Sequence, residues 1–249
     1  ITTPLAFTNT TPFLMSVWAR VVNKNGCFRT AQISLQVLAT QIPITYNRTF
    51  EVCDDFLDVN GVNNANNDKR DGISTFNFSS VATEIKAMLD PTVNYNITFY
   101  RNQADAFAEQ NAIADIANYR NIGYPDTQTI WGRVDSDVDN ACFGLGPYVI
   151  LTVEKLPFAN SVTIPRQCDD NHDGVFVFNT ATLETTLKGT NQSFPVTVTY
   201  FDATNNPLRD ANGVLISSPF PATFTSTSQI IKAVVTNNTA LKCFDETTI

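Results

Sequence analysis

The residues of this chain best placed to do chemistry lie in one acidic run, Asp169-Asp170-Asn171-His172-Asp173-Gly174. Oxygen-bearing side chains fall at alternate positions and a glycine follows, which is the opening half of a calcium loop of the EF-hand type. The position where a bidentate Glu would close that motif is Thr180, so a helix-loop-helix hand is excluded. The expectation is a compact turn between strands with Asp169, Asp170, Asn171 and Asp173 as Ca2+ ligands, completed by backbone carbonyls, water or residues from elsewhere. Carboxylates this close repel by about 1 kcal/mol per pair at 4 Å in water, and a cation would relieve that. The competing reading is an Asx-rich turn whose carboxylates point apart into solvent. His172, the only histidine, is expected as an exposed turn residue, because no neighbouring His or thiolate accompanies it to make a zinc site.

The same chemistry occurs earlier. Cys53-Asp54-Asp55 precedes Cys168-Asp169-Asp170 by 115 residues, and Asp71-Gly72-Ile73-Ser74-Thr75-Phe76-Asn77 returns as Asp173-Gly174-Val175-Phe176-Val177-Phe178-Asn179. In the first copy the acidic turn is 13 residues longer, and its candidate ligands are Asp54, Asp55, Asp68 and Asp71. A closing signature also repeats: Ile130-Trp131-Gly132-Arg133-Val134 leads to Cys142-Phe143, and Ile231-Lys232-Ala233-Val234-Val235 leads to Cys243-Phe244. A third instance, Val17-Trp18-Ala19-Arg20-Val21 leading to Cys27-Phe28, opens the chain. A fixed internal period is the mark of repeated modules. The segments expected are 1–40, the last part of a repeat; 41–157, a full repeat; and 158–249, a repeat that stops short of its last strand.

The elements that position these turns are strands. Val196-Thr197-Val198-Thr199-Tyr200 and Tyr148-Val149-Ile150-Leu151-Thr152-Val153 alternate as half-buried strands do. Val81, Ile85, Met88 and Leu89 instead recur at helical spacing before Asp90-Pro91, as do Leu183 and Leu187 before Gly189, so each repeat carries a short helical insertion. A further helical stretch is expected within Ala104–Ala117, which is Ala-rich and free of Gly and Pro. Many short strands at about 100 residues per unit indicate an all-β fold of tandem immunoglobulin-like β-sandwich repeats.

Five cysteines at recurring positions are read as half-cystines. Bridges within each repeat would join Cys53 to Cys142 and Cys168 to Cys243. Bridges across the junctions would join Cys27 to Cys53 and Cys142 to Cys168. The first set is the expectation, because a strand of about ten residues after Cys27 carries the chain roughly 33 Å away before the next domain begins.

No G-x-S-x-G elbow, H-E-x-x-H helix or G-x-x-x-x-G-K-[ST] loop occurs, so no catalytic residue is expected. A formal charge of -8 leaves no basic field for nucleic acid, and no apolar run of about 18 residues offers a membrane span. Tyr119, Tyr124 and Trp131 are the candidates for a surface aromatic platform that would take sugars. A chain poor in charge and rich in Thr, Asn, Phe and Val suits exposed strands outside the cell, and its first residues read as the interior of something longer.

A strand ending in Cys-Asp-Asp, a turn ending in Asp-Gly, then Phe-Asn, a helical turn and a Val-x-Val-type strand before Cys-Phe resembles the tandem repeats of very large Bacteroidota surface proteins. Among these are the gliding-motility adhesins exported by the type IX secretion system. The resemblance covers about residues 41–249, and Cys53, Asp54, Asp55, Asp71 and Gly72 carry it in one copy, Cys168, Asp169, Asp170, Asp173 and Gly174 in the other. It implies a non-catalytic stalk outside the cell, attached to the outer membrane, with surface polysaccharide or another cell-surface ligand as partner and neighbouring repeats packed beside it. The alternative is a carbohydrate- or protein-binding accessory module of a secreted enzyme.

Overall fold

Alternation at period two and short turn-rich connections make strands wherever this chain can bury one face. The computed structural model describes residues 1–2, 5, 7–11, 14–36, 41–137, 142–169 and 171–249. Thr40, the expected end of the first segment, lies outside the described residues, as does Asp170. The fold is all-β and sandwich-like, with short helices between strands.

The first two strands, β1 (Leu14–Val22) and β2 (Phe28–Gln36), form an antiparallel hairpin with Leu14 opposite Gln36 and Val22 opposite Phe28. Its turn is set by Gly26 at φ +83° and by the Asn23 carboxamide, which accepts from the Asn25 and Cys27 amides. A two-stranded ribbon has no second layer to cover it, and Trp18, Val21 and Phe28 are exposed accordingly.

The copy that follows contains β3 (Arg48–Cys53), β4 (Thr75–Phe76), α1 (Ser80–Ala87), β5 (Tyr95–Tyr100), α2 (Gln103–Ala108), β6 (Tyr119–Arg120), β7 (Thr127–Ser136) and β8 (Cys142–Glu154). They assemble as a four-stranded sheet in the order β3-β8-β7-β5 and a two-stranded sheet β4-β6. The second copy contains β9 (Phe176–Asn179), α3 (Leu183–Lys188), β10 (Val196–Phe201), β11 (Thr223–Ser226), β12 (Lys232–Asn237) and β13 (Phe244–Thr248). Its sheets are β10-β12-β13 and β9-β11. Element by element, β9, α3, β10, β11, β12 and β13 repeat β4, α1, β5, β6, β7 and β8. Among the described residues β3 and α2 have no counterpart.

The helices obey their sequence signals. α1 buries Val81 and Ile85, four residues apart on one face, and α3 buries Leu183 and Leu187 in the same way before Gly189. The expected stretch within Ala104–Ala117 is shorter: α2 is capped by the Asn102 side chain on the Asp105 amide and stops at Ala108. There Glu109 turns left-handed at φ 55°, and the Asp105 carbonyl takes the Gln110 amide. Without a sustained apolar stripe, nothing pulls the following residues back into helix.

By contact density the chain divides into two units: residues 1–48, 78–117 and 129–150, and residues 49–77, 118–128 and 151–249. In the first, Phe78 packs edge-on against Phe99, and Tyr95 against Phe143. In the second, Leu187, Val198, Tyr200, Phe224, Ala233 and Val235 close a core drawn from both sheets and α3. Glu184 is buried against that core because four donors satisfy it: the Tyr200 hydroxyl at 2.8 Å, the Phe220 amide at 2.7 Å, the Ser218 hydroxyl at 2.6 Å and the Lys188 ammonium at 2.9 Å. Burial alone would raise its pKa, but these bonds outweigh it and hold the carboxyl below its ordinary value.

Candidate functional site

The two Asp-Gly turns are built alike. In the first copy, Asp54 Oδ2 accepts from the Gly72 amide at 2.9 Å, and Asp71 Oδ1 accepts from the Ile73 amide at 2.7 Å. In the second, Asp169 Oδ2 accepts from the Gly174 amide at 2.6 Å, and Asp173 Oδ1 accepts from the Val175 amide at 2.8 Å. Each glycine sits at positive φ, +74° and +76°, where a side chain would be strained. At Gly72 a Cβ would also fall 2.6 Å from the Asp126 amide nitrogen. Two carboxylates and a left-handed glycine are therefore a latch that closes the chain after each Cys-Asp-Asp.

The acidic residues do this backbone work differently in the two copies. Asp55 accepts from the Leu57 amide and pairs with the Arg120 guanidinium at 2.5 Å, while Asp68 accepts from the Arg70 amide. Arg120 also donates to the Asp58 carbonyl and the Thr75 hydroxyl, so one guanidinium gathers the 13-residue enlargement. Arg120 thus sets a positive charge of the protein's own against Asp55. In the second copy the strand pairing that sets Arg120 opposite Thr75 sets Thr225 opposite Val177. No guanidinium stands there. Asp169 and Asn171 accept from the His172 and Asp173 amides, and the Asn171 amide donates to Asp173 Oδ2. His172 is exposed at φ 64°. Among the described residues no three His, Cys, Asp or Glu side chains group as a metal site would require; Asp170 is not one of them.

Next to the first latch lies the contact that joins the two copies. Cys53, the last residue of β3, is bonded to Cys243, one residue before β13, with Cα atoms 5.5 Å apart. Two residues on, Asp245 is 3% exposed and receives Lys69 at 2.6 Å and Arg70 at 3.2 Å, both from the enlarged loop. The Arg70 guanidinium also donates to the Leu156 and Pro157 carbonyls and lies 4.0 Å from the Phe158 ring centroid. Asn237, at the end of β12, donates to the Glu154 carboxylate and the Lys155 carbonyl, and Thr239 donates to Glu154 as well. Disulfide, buried ion pair and amide contacts form one clasp between the start of the first copy and the last strand of the second.

This overturns the expected cysteine pairings. Cys53 joins neither Cys142 nor Cys27, and Cys168 does not join Cys243; Cys27, Cys142 and Cys168 carry free thiols. The Asp54 amide bonds to the Glu154 carbonyl, so β3 and β8 end side by side. Cys142 begins that 13-residue strand, about 40 Å back at 3.3 Å per residue. Burial raises the pKa of the half-buried Cys142 thiol. Of the aromatic candidates, Tyr119 is a core residue, 4% exposed with its hydroxyl on Gln128, and offers no platform. Lys69, Arg70, Arg120 and Asp245 went unread in the sequence. The available signal was the enlarged loop itself, whose only basic residues, Lys69-Arg70, have no counterpart in the second copy.

Two outcomes test this site. Burial, and after it the Asp71 and Asp55 charges, push Asp54 up to about 6 despite the bonds from Gly72 and Asp55. A carboxyl raised above its unfolded value near 3.8 favours the fold when protonated, so stability should rise as pH falls through about 6 toward 4. The gain expected from pH 7 to 5 is on the order of 1 kcal/mol, and Asp54→Asn should flatten it in urea titrations. Asp245→Ala, which leaves Lys69 and Arg70 without their carboxylate, should cost roughly 2–4 kcal/mol in the same assay with the disulfide intact.

No curated protein matches this chain. A family model described as the Flavobacterium inter-domain disulphide bond domain matches it twice, over residues 49–157 and 165–249, so that one match ends three residues after β8 and the other includes the strand after Cys243. With most of its length matched, and with a disulfide running from the first matched segment to the second, the chain belongs to the Flavobacterium inter-domain disulphide bond domain family.

Proposed function

We propose that this chain is a non-catalytic stretch of the stalk of a secreted bacterial surface adhesin, serving gliding motility or surface attachment after export by the type IX route. Its place is outside the cell, attached to the outer membrane, and its distal partners are polysaccharide or other surface ligands. The observation that carries this reading is the Cys53–Cys243 bond between successive family copies, whose ends are separated by 190 positions in the sequence. A disulfide inside one domain protects that domain; one between neighbours resists their separation under load. Oxidising surroundings suit such a bond. Closing so long a loop stabilises the pair by roughly 5 kcal/mol in the chain-entropy account.

The reading makes a mechanical prediction. When the chain is pulled from its ends, an intact bond bypasses the span between Cys53 and Cys243. Reduction, or Cys53→Ser, should therefore release roughly 65 nm of additional contour length at about 0.34 nm per residue. Single-molecule force spectroscopy with and without reductant measures this, and equal extension in both states would sink the stalk reading. Specific binding on a glycan array by the intact chain, with no difference under force, would favour the accessory-module alternative.

Calcium belongs to this proposal in the second copy's loop, where Asp169, Asn171 and Asp173 cluster and Thr225 stands in place of an arginine. The expected result is a higher melting midpoint in Ca2+ than in chelator, abolished by Asp173→Asn. An unchanged midpoint removes calcium from the account.

A further inference from the structure

Chance encounter does not favour the bond this chain makes. The ends of a flexible loop meet less often as the loop lengthens, roughly as the −3/2 power of its length. Cys27 and Cys53 are 26 positions apart, as are Cys142 and Cys168, whereas Cys53 and Cys243 are 190 apart. In an unfolded chain either short pairing would form about twenty times as often as the long one. The long one is nevertheless the bond present, and Cys27, Cys142 and Cys168 carry free thiols. Structure formed before the sulfurs join must therefore choose the pair.

Two non-covalent paths connect these cysteines without using sulfur. One runs through hydrogen bonds. The Ser74 hydroxyl donates to the Cys53 carbonyl at 2.9 Å, and the Asp54 amide donates to the Glu154 carbonyl at 2.8 Å. The Asn237 side chain donates to the Glu154 carboxylate at 2.8 Å, and the Asn237 amide donates to the Cys243 carbonyl at 2.8 Å. The other path is ionic. Lys69 and Arg70, in the enlarged loop that follows Cys53, reach Asp245, two residues after Cys243. The charge at that place differs after each closing cysteine: Arg29 follows Cys27-Phe28, Gly144 follows Cys142-Phe143, and Asp245 follows Cys243-Phe244. Asp245 attracts a Lys-Arg pair, Gly144 offers no charge, and Arg29 repels one. The basic half is as selective, since the compact loop from Asp169 to Gly174 contains no Lys or Arg. Both halves of the ionic path thus occur only at the two cysteines that bond.

We infer that Lys69, Arg70 and Asp245 are positioning residues for disulfide formation: their ion pairs draw Cys243 onto Cys53 in the reduced chain and so select this pair over cysteines nearer in sequence. The covalent step follows closure. With a low-molecular-weight disulfide such as oxidised glutathione as the oxidant, one cysteine thiolate attacks a glutathione sulfur and expels a glutathione thiolate. The second cysteine thiolate attacks the resulting mixed disulfide and expels the other. The two protons lost by the cysteines go to the two glutathione thiolates, so one disulfide is reduced for each one made. The ion pairs take no part in the sulfur chemistry; they raise the effective concentration of the second thiol at the mixed disulfide. Selection of this kind holds whatever load the finished bond carries.

The test refolds the full, reduced chain in a buffer of reduced and oxidised glutathione, quenches with acid and quantifies the disulfide-linked peptides by mass spectrometry. In native buffer the Cys53–Cys243 peptide should exceed the Cys27–Cys53 and Cys142–Cys168 peptides together, and in concentrated urea that order should invert. One ion pair of surface strength is worth about fivefold, so Lys69→Gln should lower the native-buffer ratio by about that factor and Asp245→Asn, which removes two, by more. Val198→Ala, which trims the second copy's core, should lower the melting midpoint and leave the ratio unchanged. The Lys69 side chain is 40% exposed and can be changed without threat to the fold. An unchanged ratio in Lys69→Gln therefore overturns the proposal even where Asp245→Asn does not fold. So does an equal fall in Val198→Ala, since the pairing would then follow overall stability and not the charges.

Discussion

A covalent bond between two copies of one module constrains this structure more than any other contact. Cys53 terminates β3 and Cys243 introduces β13, so the first and last strands of the bonded pair are held together at one point. What surrounds that point makes the bond part of a surface and not a lone staple. Asp245 is buried with two cations from the enlarged loop, and Arg70 reaches on to the Leu156 and Pro157 carbonyls that lead from one copy to the next. A buried carboxylate with two basic partners is stable only while all three are in place. The ion pairs therefore report on the closure that the disulfide makes permanent.

The acidic turns show how one residue pattern can serve two ends. Carboxylates at alternate positions before a glycine suit a cation, and they suit backbone amides equally, because a left-handed glycine points its N–H back into the loop. In both copies the Asp-to-Gly bond is made. The first copy adds a guanidinium, Arg120, which neutralises Asp55 and ties the loop to β6. That loop could then lengthen without losing its shape and present Lys69 and Arg70 to Asp245. The second copy retains the compact form and has a threonine where the arginine stands. Insertion, arginine and clasp are one device, present once.

Much of the fold was legible in the residues. Alternation located β8 and β10, i to i+4 apolar pairs located α1 and α3, and the repeated Cys-Asp-Asp and Asp-Gly pairs announced two copies of one unit. What could not be read was anything requiring the copies to meet. The cysteines offered pairings within a repeat or across a junction, and chain length alone does not say which end of β8 lies beside β3. The Asp54 to Glu154 bond answers that, and it places Cys53 a full strand length from Cys142. Asp245 was equally silent, since its burial depends on cations 175 residues away or more. The acidic turns offered a cation site and an Asx turn under one residue pattern, and the bonds from the Gly72, Ile73, Gly174 and Val175 amides show how the backbone closes them.

The position of the disulfide also explains why the modules can be small. A sandwich copy of about 100 residues holds a modest core, and the second copy's sheet has three strands where the first has four. A bond confined to that copy would add stability to a layer already closed by β10, β12 and β13. The bond to Cys53 instead anchors β13 to the neighbouring copy. Order in the second copy is thus supplied in part from its neighbour, through a link that neither thermal opening of the core nor tension along the chain can undo without reduction.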